Sequence, residues 1–215
     1  MNMDSTSTHI LPENDHKGVQ PCWSCKGPAG KMDLFCETCH AVQPPGHINH
    51  FERLGVQKSF DIDVDGLERK YFELQRHLHP DRFANKTPKE KSLSQQQAVS
   101  LNEAFEVVKD PLLRADYLLQ VSGVDGISHD HTVNDPVLLM EAMETREALM
   151  EATDVAQINA LSDKARRDVR DCIKSIATAF TQDNLNEARK LALRLKYLTK
   201  LLEETRQHKA RLVMK

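Results

Sequence analysis

From about residue 48 onward, apolar positions recur every three or four residues, the period of an amphipathic helix. Leu67, Tyr71, Leu74 and Leu78 follow one another at intervals of four, three and four. They predict a helix from about Val64 to Leu78, with Arg69 and Arg76 on the opposite face. Pro80 bars that helix from continuing and biases His79 away from helical backbone. Thr87-Pro88-Lys89-Glu90 then opens a second helix: an N-cap threonine, proline at the first helical position and glutamate three residues on, a complete capping box. This helix continues through Ala98, Leu101, Phe105 and Val108 until Asp110-Pro111 stops it and caps a short helix through Leu113 and Leu118. A short amphipathic piece with Phe51 and Leu54 begins near Asn49. The pattern predicts a compact helical unit of roughly residues 48–120, two long antiparallel helices with short ones before and after.

A second periodic region follows a connector rich in Gly, Asp and His. Asp135-Pro136 caps a helix running to about Ala152. A longer one spans about Asp154–Phe180 through Val155, Ile158, Ala165, Val169, Ile173 and Ile176. After a turn at Thr181-Gln182-Asp183, Asn184 and Glu187 form another capping box for a last helix through Leu191, Leu195, Leu198 and Leu202. Three helices with short connections predict an antiparallel three-helix bundle. In the first of them Leu138, Ala142 and Leu149 share one arc, while Leu139, Met140, Met143 and Met150 share the other with Glu144 and Glu147. In the last, Leu193 and Tyr197, near Lys196 and Lys200, are expected to point away from the leucine stripe. A bundle helix touches two neighbours, so such a wide arc can simply be core. The alternative is a methionine-rich, acid-rimmed patch that adapts to a partner surface.

Composition narrows the function classes. Aromatic residues make up 5% of the chain and glycines number 8, which favours helices over a β-sandwich. A net charge of −3 provides no global basic field for nucleic acid, and no apolar run approaches the length that crosses a bilayer. Residues 1–20 are polar and unpatterned, as expected of a disordered tail. With Asp4, Glu13 and Asp15 against Lys17 and no arginine, they read as neither a secretory signal nor a mitochondrial presequence.

Cys22-Trp23-Ser24-Cys25 and Cys36-Glu37-Thr38-Cys39 are two CxxC pairs, with ten residues between them. Four thiolates can close a tetrahedral zinc site, each pair giving two ligands from one tight turn. The segment is too short for a core of its own, so metal would supply its folding energy, about 10–16 kcal/mol in zinc-binding peptides. A closed four-cysteine site leaves no open position, so one zinc ion here would be structural. No βαβ pattern surrounds either pair, which weakens a redox reading. His40 is expected at the surface, and Cys172 as a buried or half-buried thiol. A nucleic-acid role for this segment would rest on Lys26 and Lys31, which form no cluster, with Trp23 as the only strong stacking candidate.

His79 and Asp81 on an exposed corner do not enclose the pocket an acid/base pair needs. A contact role explains more: Asp81 could accept a bidentate bond from an arginine of another protein while Arg69 and Arg76 meet an acidic surface. This segment resembles a J-domain, whose His-Pro-Asp loop and basic helix dock on 70-kDa heat-shock chaperones and trigger ATP hydrolysis. The resemblance implies that His79, Pro80, Asp81, Arg69, Lys70, Arg76 and Arg82 are the docking residues and that no residue is catalytic.

The run His131-Thr132-Val133-Asn134-Asp135, with Leu138-Leu139-Met140-Glu141 and Arg146-Glu147, is similar to HscB-type iron–sulfur cluster co-chaperones. So are Asp110-Pro111-Leu112 with Arg114 and Tyr117-Leu118-Leu119, and the tetracysteine segment ending in Gln43-Pro44-Pro45 resembles the eukaryotic members. The likeness covers about residues 22–205. It implies that the bundle binds the scaffold protein on which iron–sulfur clusters are assembled, through Leu139, Met140, Met143, Glu144, Glu147, Lys196 and Tyr197. It also implies a mitochondrial matrix location, with a cytosolic pool as the alternative. The expected organisation is all-α: a disordered tail at 1–20, a zinc module at 21–46, a J-domain at 47–122, a linker at 123–135 and a client-binding three-helix bundle at 136–215. Neither nucleic acid nor membrane is an expected partner. The zinc module could order the N-terminus, pair two protomers into a homodimer or contact the client. A J-protein serving a different client is the remaining alternative.

Overall fold

The computed structural model describes residues 18–127 and 136–213. The expected tail up to residue 17, the run His131-Thr132-Val133-Asn134 and the cap Asp135 lie outside the described residues. Within them the chain is helical apart from one small sheet. Strands β1 (Val19–Pro21) and β2 (Pro28–Gly30) pair antiparallel, Val19 opposite Gly30 and Pro21 opposite Pro28. Val19 and Gln20, expected in the tail, therefore belong to the cysteine module. The helices are α1 (His50–Leu54), α2 (Val64–Leu78), α3 (Pro88–Lys109), α4 (Pro111–Val121), α5 (Pro136–Glu151), α6 (Val155–Thr181) and α7 (Leu185–Val213), with a 3-10 turn at Pro80–Phe83 between α2 and α3.

Local hydrogen bonds set most of these boundaries. Thr87 accepts from the Glu90 amide at 3.3 Å while the Glu90 carboxylate accepts from the Thr87 amide at 3.1 Å. Asn49 and Glu52 make the same reciprocal box at 2.9 Å each way, and Asp63 caps α2 through the Gly66 amide. The Asp110 carboxylate accepts from both Leu112 and Leu113, so one residue stops α3 and starts α4. Each such cap stabilises its helix by about 1 kcal/mol. α1 ends on Gly55 at φ +64°, a left-handed conformation that costs glycine nothing.

One hydrophobic core runs through the helical hairpin and into the C-terminal helices. Leu67 and Leu78 of α2 belong to it with Leu101, Ala104 and Val108 of α3, and Tyr71 stacks on Phe105 with ring centroids 3.9 Å apart. It continues through Phe60, stacked on Phe180 at 5.5 Å, and through Leu118 and Leu119 of α4 to Ile176 and Ala179 of α6 and Ala188, Ala192 and Leu195 of α7. Alanines at 188 and 192, both fully buried, leave room for close packing on α7. Arg114 is buried at this junction with its guanidinium 4.9 Å from the Phe60 ring. It donates to the carbonyls of Val108 and Lys109, which the end of α3 leaves without helical partners.

The described part of the expected linker is tied to the helices at its end. Ile127 is 2% exposed, its amide donates to the Asp116 carboxylate, and Lys196 Nζ donates to its carbonyl at 3.1 Å. Arg189 likewise donates to the Asp125 carbonyl. α6 and α7 pair antiparallel along their length, and α5 lies against both, running in the direction of α7. Ion pairs Glu141–Arg194 at 2.6 Å and Arg146–Glu204 at 3.0 Å tie α5 to α7. Leu149 and Ala152 pack with Ile158 in a small separate cluster. Leu193 does not point away from the core as expected. It packs against the main cluster, because α7 is covered by α4 as well as by α6.

Candidate functional sites

The two CxxC turns are alike in backbone. Cys22 N–H donates to the Gly27 carbonyl and Lys26 N–H to the Cys22 carbonyl; Cys36 N–H donates to Ala41 and His40 N–H to Cys36. Four residues after the first cysteine of each pair stands a non-glycine residue in left-handed backbone, Lys26 at φ 64° and His40 at φ 56°. His40 is exposed, as its sequence position suggested, and its contribution is to the shape of the turn. The four sulfurs lie within 4.8 Å of one another, with Cys22–Cys39 at 3.7 Å and Cys25–Cys36 at 3.8 Å. A tetrahedron with bonds of about 2.3 Å has sulfur edges of about 3.8 Å, the separation these two pairs already have, so the four residues fit a zinc ion.

Burial alone would raise the Cys22 thiol. Donors from the Cys25 and Ser24 amides, from Gln43 and from Cys39 outweigh it and bring the thiol down to about 6. The Cys39 amide above all holds Cys36 low. At Cys25 the Gly27 amide pulls downward, but contact with Cys39, burial and the other two sulfurs push the thiol up to about 11. Two of the four sulfurs are thus held toward the thiolate, and a dication arriving at the set would release the remaining protons. Trp23 is half-buried, donates to the Val42 carbonyl at 2.7 Å and carries Lys89 Nζ 4.3 Å from its ring.

The corner between α2 and α3 is open to solvent and held by local contacts. Pro80 opens the 3-10 turn, buried Phe83 anchors its far end, and the His79 ring accepts from the Asp81 amide at 3.3 Å. The Asp81 side chain is 90% exposed and stands 3.6 Å from the His79 ring nitrogen. Arg69 is paired loosely with Asp63, both largely exposed, an interaction worth little in water. Arg76 and Arg82 are exposed. Lys70 stands apart, because its ammonium is tied to the Gly55 carbonyl at the end of α1 and lines a cleft with Lys31 and Glu73. Phe72 was missed by the sequence reading: it is 56% exposed and falls on one stripe with Arg69, Arg76 and His79 at helical spacing. An aromatic off the apolar period was the available signal.

On α5, Leu138 and Leu149 are buried, while Leu139, Met140, Met143 and Met150 are 40%, 63%, 62% and 79% exposed. Glu144 and Glu147 are exposed beside them. Of the two weaker matches, Tyr197 lines a recess of about 450 Å³ together with Glu144 and Arg194, whereas Lys196 is turned to the Ile127 carbonyl. The fold thus brings Tyr197 to α5 and holds Lys196 at the junction with the helical hairpin.

Comparison with known proteins adds a separate line. Residues 49–117 match the DnaJ domain, and residues 134–206 match a family described as the HSCB C-terminal oligomerisation domain. The chain is 34% identical over 184 residues to the iron-sulfur cluster co-chaperone protein HscB homolog of Arabidopsis thaliana, covering 85% of this chain and 72% of the relative. It is 30% identical over 192 residues to the iron-sulfur cluster co-chaperone protein HscB of Homo sapiens, covering 87% and 82%. The crystal structure of human co-chaperone protein HscB superposes with a TM-score of 0.83 at 29% identity, covering 88% of this chain and 98% of that one.

Proposed function

Since the chain belongs to the HscB family of iron–sulfur cluster co-chaperones, we propose that it binds the cluster assembly scaffold, delivers it to a 70-kDa heat-shock chaperone and stimulates that chaperone's ATPase. The observation that carries this reading is the corner: a carboxylate 90% exposed on a turn held by Pro80 and buried Phe83. Asp81 accepts a charge-assisted bond from an arginine of the chaperone, and Arg69, Phe72, Arg76 and Arg82 with His79 form the rest of the docking stripe. Lys70, held by Gly55, contributes at the edge of that stripe. The exposed arc Leu139, Met140 and Met143, rimmed by Glu144 and Glu147 and bordered by Tyr197, receives the scaffold, with Lys196 set back at the Ile127 carbonyl.

Holding both partners raises the scaffold's effective concentration at the chaperone when hydrolysis closes it on its client. The chain itself binds and orients; the covalent step belongs to the ATPase. One zinc ion on Cys22, Cys25, Cys36 and Cys39 folds the cysteine module, β1 included. Family membership supports a mitochondrial matrix location, which fractionation of tagged protein tests. The deciding experiment is steady-state ATP turnover by the chaperone, with and without scaffold, for the intact protein and Asp81→Asn. Stimulation that is synergistic with scaffold and lost in the folded variant is expected. Retained stimulation by Asp81→Asn sinks the reading.

A further inference from the structure

Two buried glutamines join the cysteine module to the helical hairpin. Gln43 is 1% exposed and Gln97 of α3 is 2% exposed. Gln43 Nε2 donates to Cys22 Sγ at 3.3 Å and to the Ala41 carbonyl at 2.8 Å, while the Gln43 carbonyl accepts from Gln97 Nε2 at 2.9 Å. Arg53 closes the junction, reaching Gln97 Oε1 at 3.4 Å and the Gly46 carbonyl at 2.9 Å. One turn earlier on the same face of α3, Ser94 is fully buried and donates to the Leu78 carbonyl at 2.8 Å. That carbonyl is the last of α2 before His79.

We propose that the metal centre braces the corner through this relay: Cys22, Gln43 and Gln97 couple metal occupancy to α3, and Ser94 passes the coupling to Leu78 and the His79-Pro80-Asp81 turn. The physical basis is hydrogen bonding among buried side chains, Gln43, Gln97 and Ser94 each being no more than 2% exposed. An N–H bond to a thiolate is charge-assisted and stronger than one to a thiol, and a metal ion fixes both the charge and the position of the Cys22 sulfur. Gln43 is thereby oriented, and its carbonyl is presented to Gln97. Without metal the module cannot hold a core of its own, so buried Gln97 loses the Gln43 carbonyl and Arg53 loses the Gly46 carbonyl. Linkage runs both ways, so an ordered α3 also tightens metal binding. The proposal rests on the four cysteines taking a metal and is independent of the ATPase reading.

Hydrogen exchange on the intact chain, zinc-loaded and chelator-stripped, tests it. Stripping is expected to speed exchange in residues 18–46, and also in α3 around Ser94–Leu101 and in the turn after Leu78, there by about tenfold or more. Gln97→Met keeps all four cysteines and Gln43, so it binds zinc, yet its corner amides stop responding to metal. With cobalt as probe, Gln43→Met shifts the thiolate charge-transfer band and weakens metal affinity by about 10–100-fold, whereas Gln97→Met leaves the band in place. An exchange response confined to residues 18–46, or a Gln97→Met corner that still follows metal, overturns the proposal. The wild-type comparison decides on its own should Gln97→Met fail to fold.

Discussion

Replacing Met140 and Met143 by alanine isolates the proposed scaffold face from the fold that carries it. Both side chains are more than half exposed, at 63% and 62%, and neither belongs to a core cluster. Full burial of a methionine is worth about 1.5–3 kcal/mol, of which docking can withdraw only the exposed share. After allowing for the methyl that alanine keeps, the pair contributes about 1.5–3 kcal/mol to binding, an affinity loss of about tenfold to 150-fold. The cost to folding should stay within about 0.5 kcal/mol, because truncating solvent-facing side chains opens no cavity. Calorimetric titration with the iron–sulfur scaffold reads the first number and thermal melting the second. Leu138→Ala is the opposite control: at 3% exposure it leaves a cavity and costs about 2–5 kcal/mol of stability. Unchanged scaffold affinity in the folded double alanine variant would refute the assignment, as would a large drop in melting temperature, which would mean the arc is core.

Asp81→Asn should melt like the wild type, since its carboxylate is 90% exposed, and should lose chaperone stimulation; Phe72→Ala should lower that stimulation by about 1–2 kcal/mol in binding, read as a raised half-saturating concentration. Zinc affinity should rise with pH. At neutrality the metal must displace the proton that Cys25 holds up to about 11, and below about pH 6 it must also displace one from Cys22, so the fall toward acid steepens there; a competition titration with a chromophoric chelator checks the sign. Cys172, 5% exposed and pushed up to about 11 by burial, should resist alkylation in the folded protein while chelation exposes the other four thiols; mass spectrometry of alkylated peptides reads the order.

Much of this architecture is written locally. Thr87 with Glu90, Asp110 ahead of Pro111 and Asp154 ahead of α6 satisfy backbone donors within three residues of themselves, so the helix boundaries they set need no tertiary information. The same holds for the break at Pro80 and for the CxxC spacing, whose meaning depends on tight turns rather than on distant contacts. Asn49 with Glu52 carried the same signal, and the sequence reading used only its position.

What the tertiary structure alone decided is which face of each helix meets which neighbour. Leu193 and Met143 look equally unpartnered along their own helices. One packs because α4 lies across α7, and the other stays exposed because nothing among the described residues covers that side of α5. Lys70 reads as one more cation of a basic helix until the end of α1 offers it the Gly55 carbonyl. Gln43 and Gln97 are separated by more than fifty positions, and no periodicity marks two glutamines as a buried pair. Local hydrogen bonding is short in sequence and so is legible there. The pairing of helix faces depends on how the whole set of apolar stripes is shared out at once, and only the packed chain settles it.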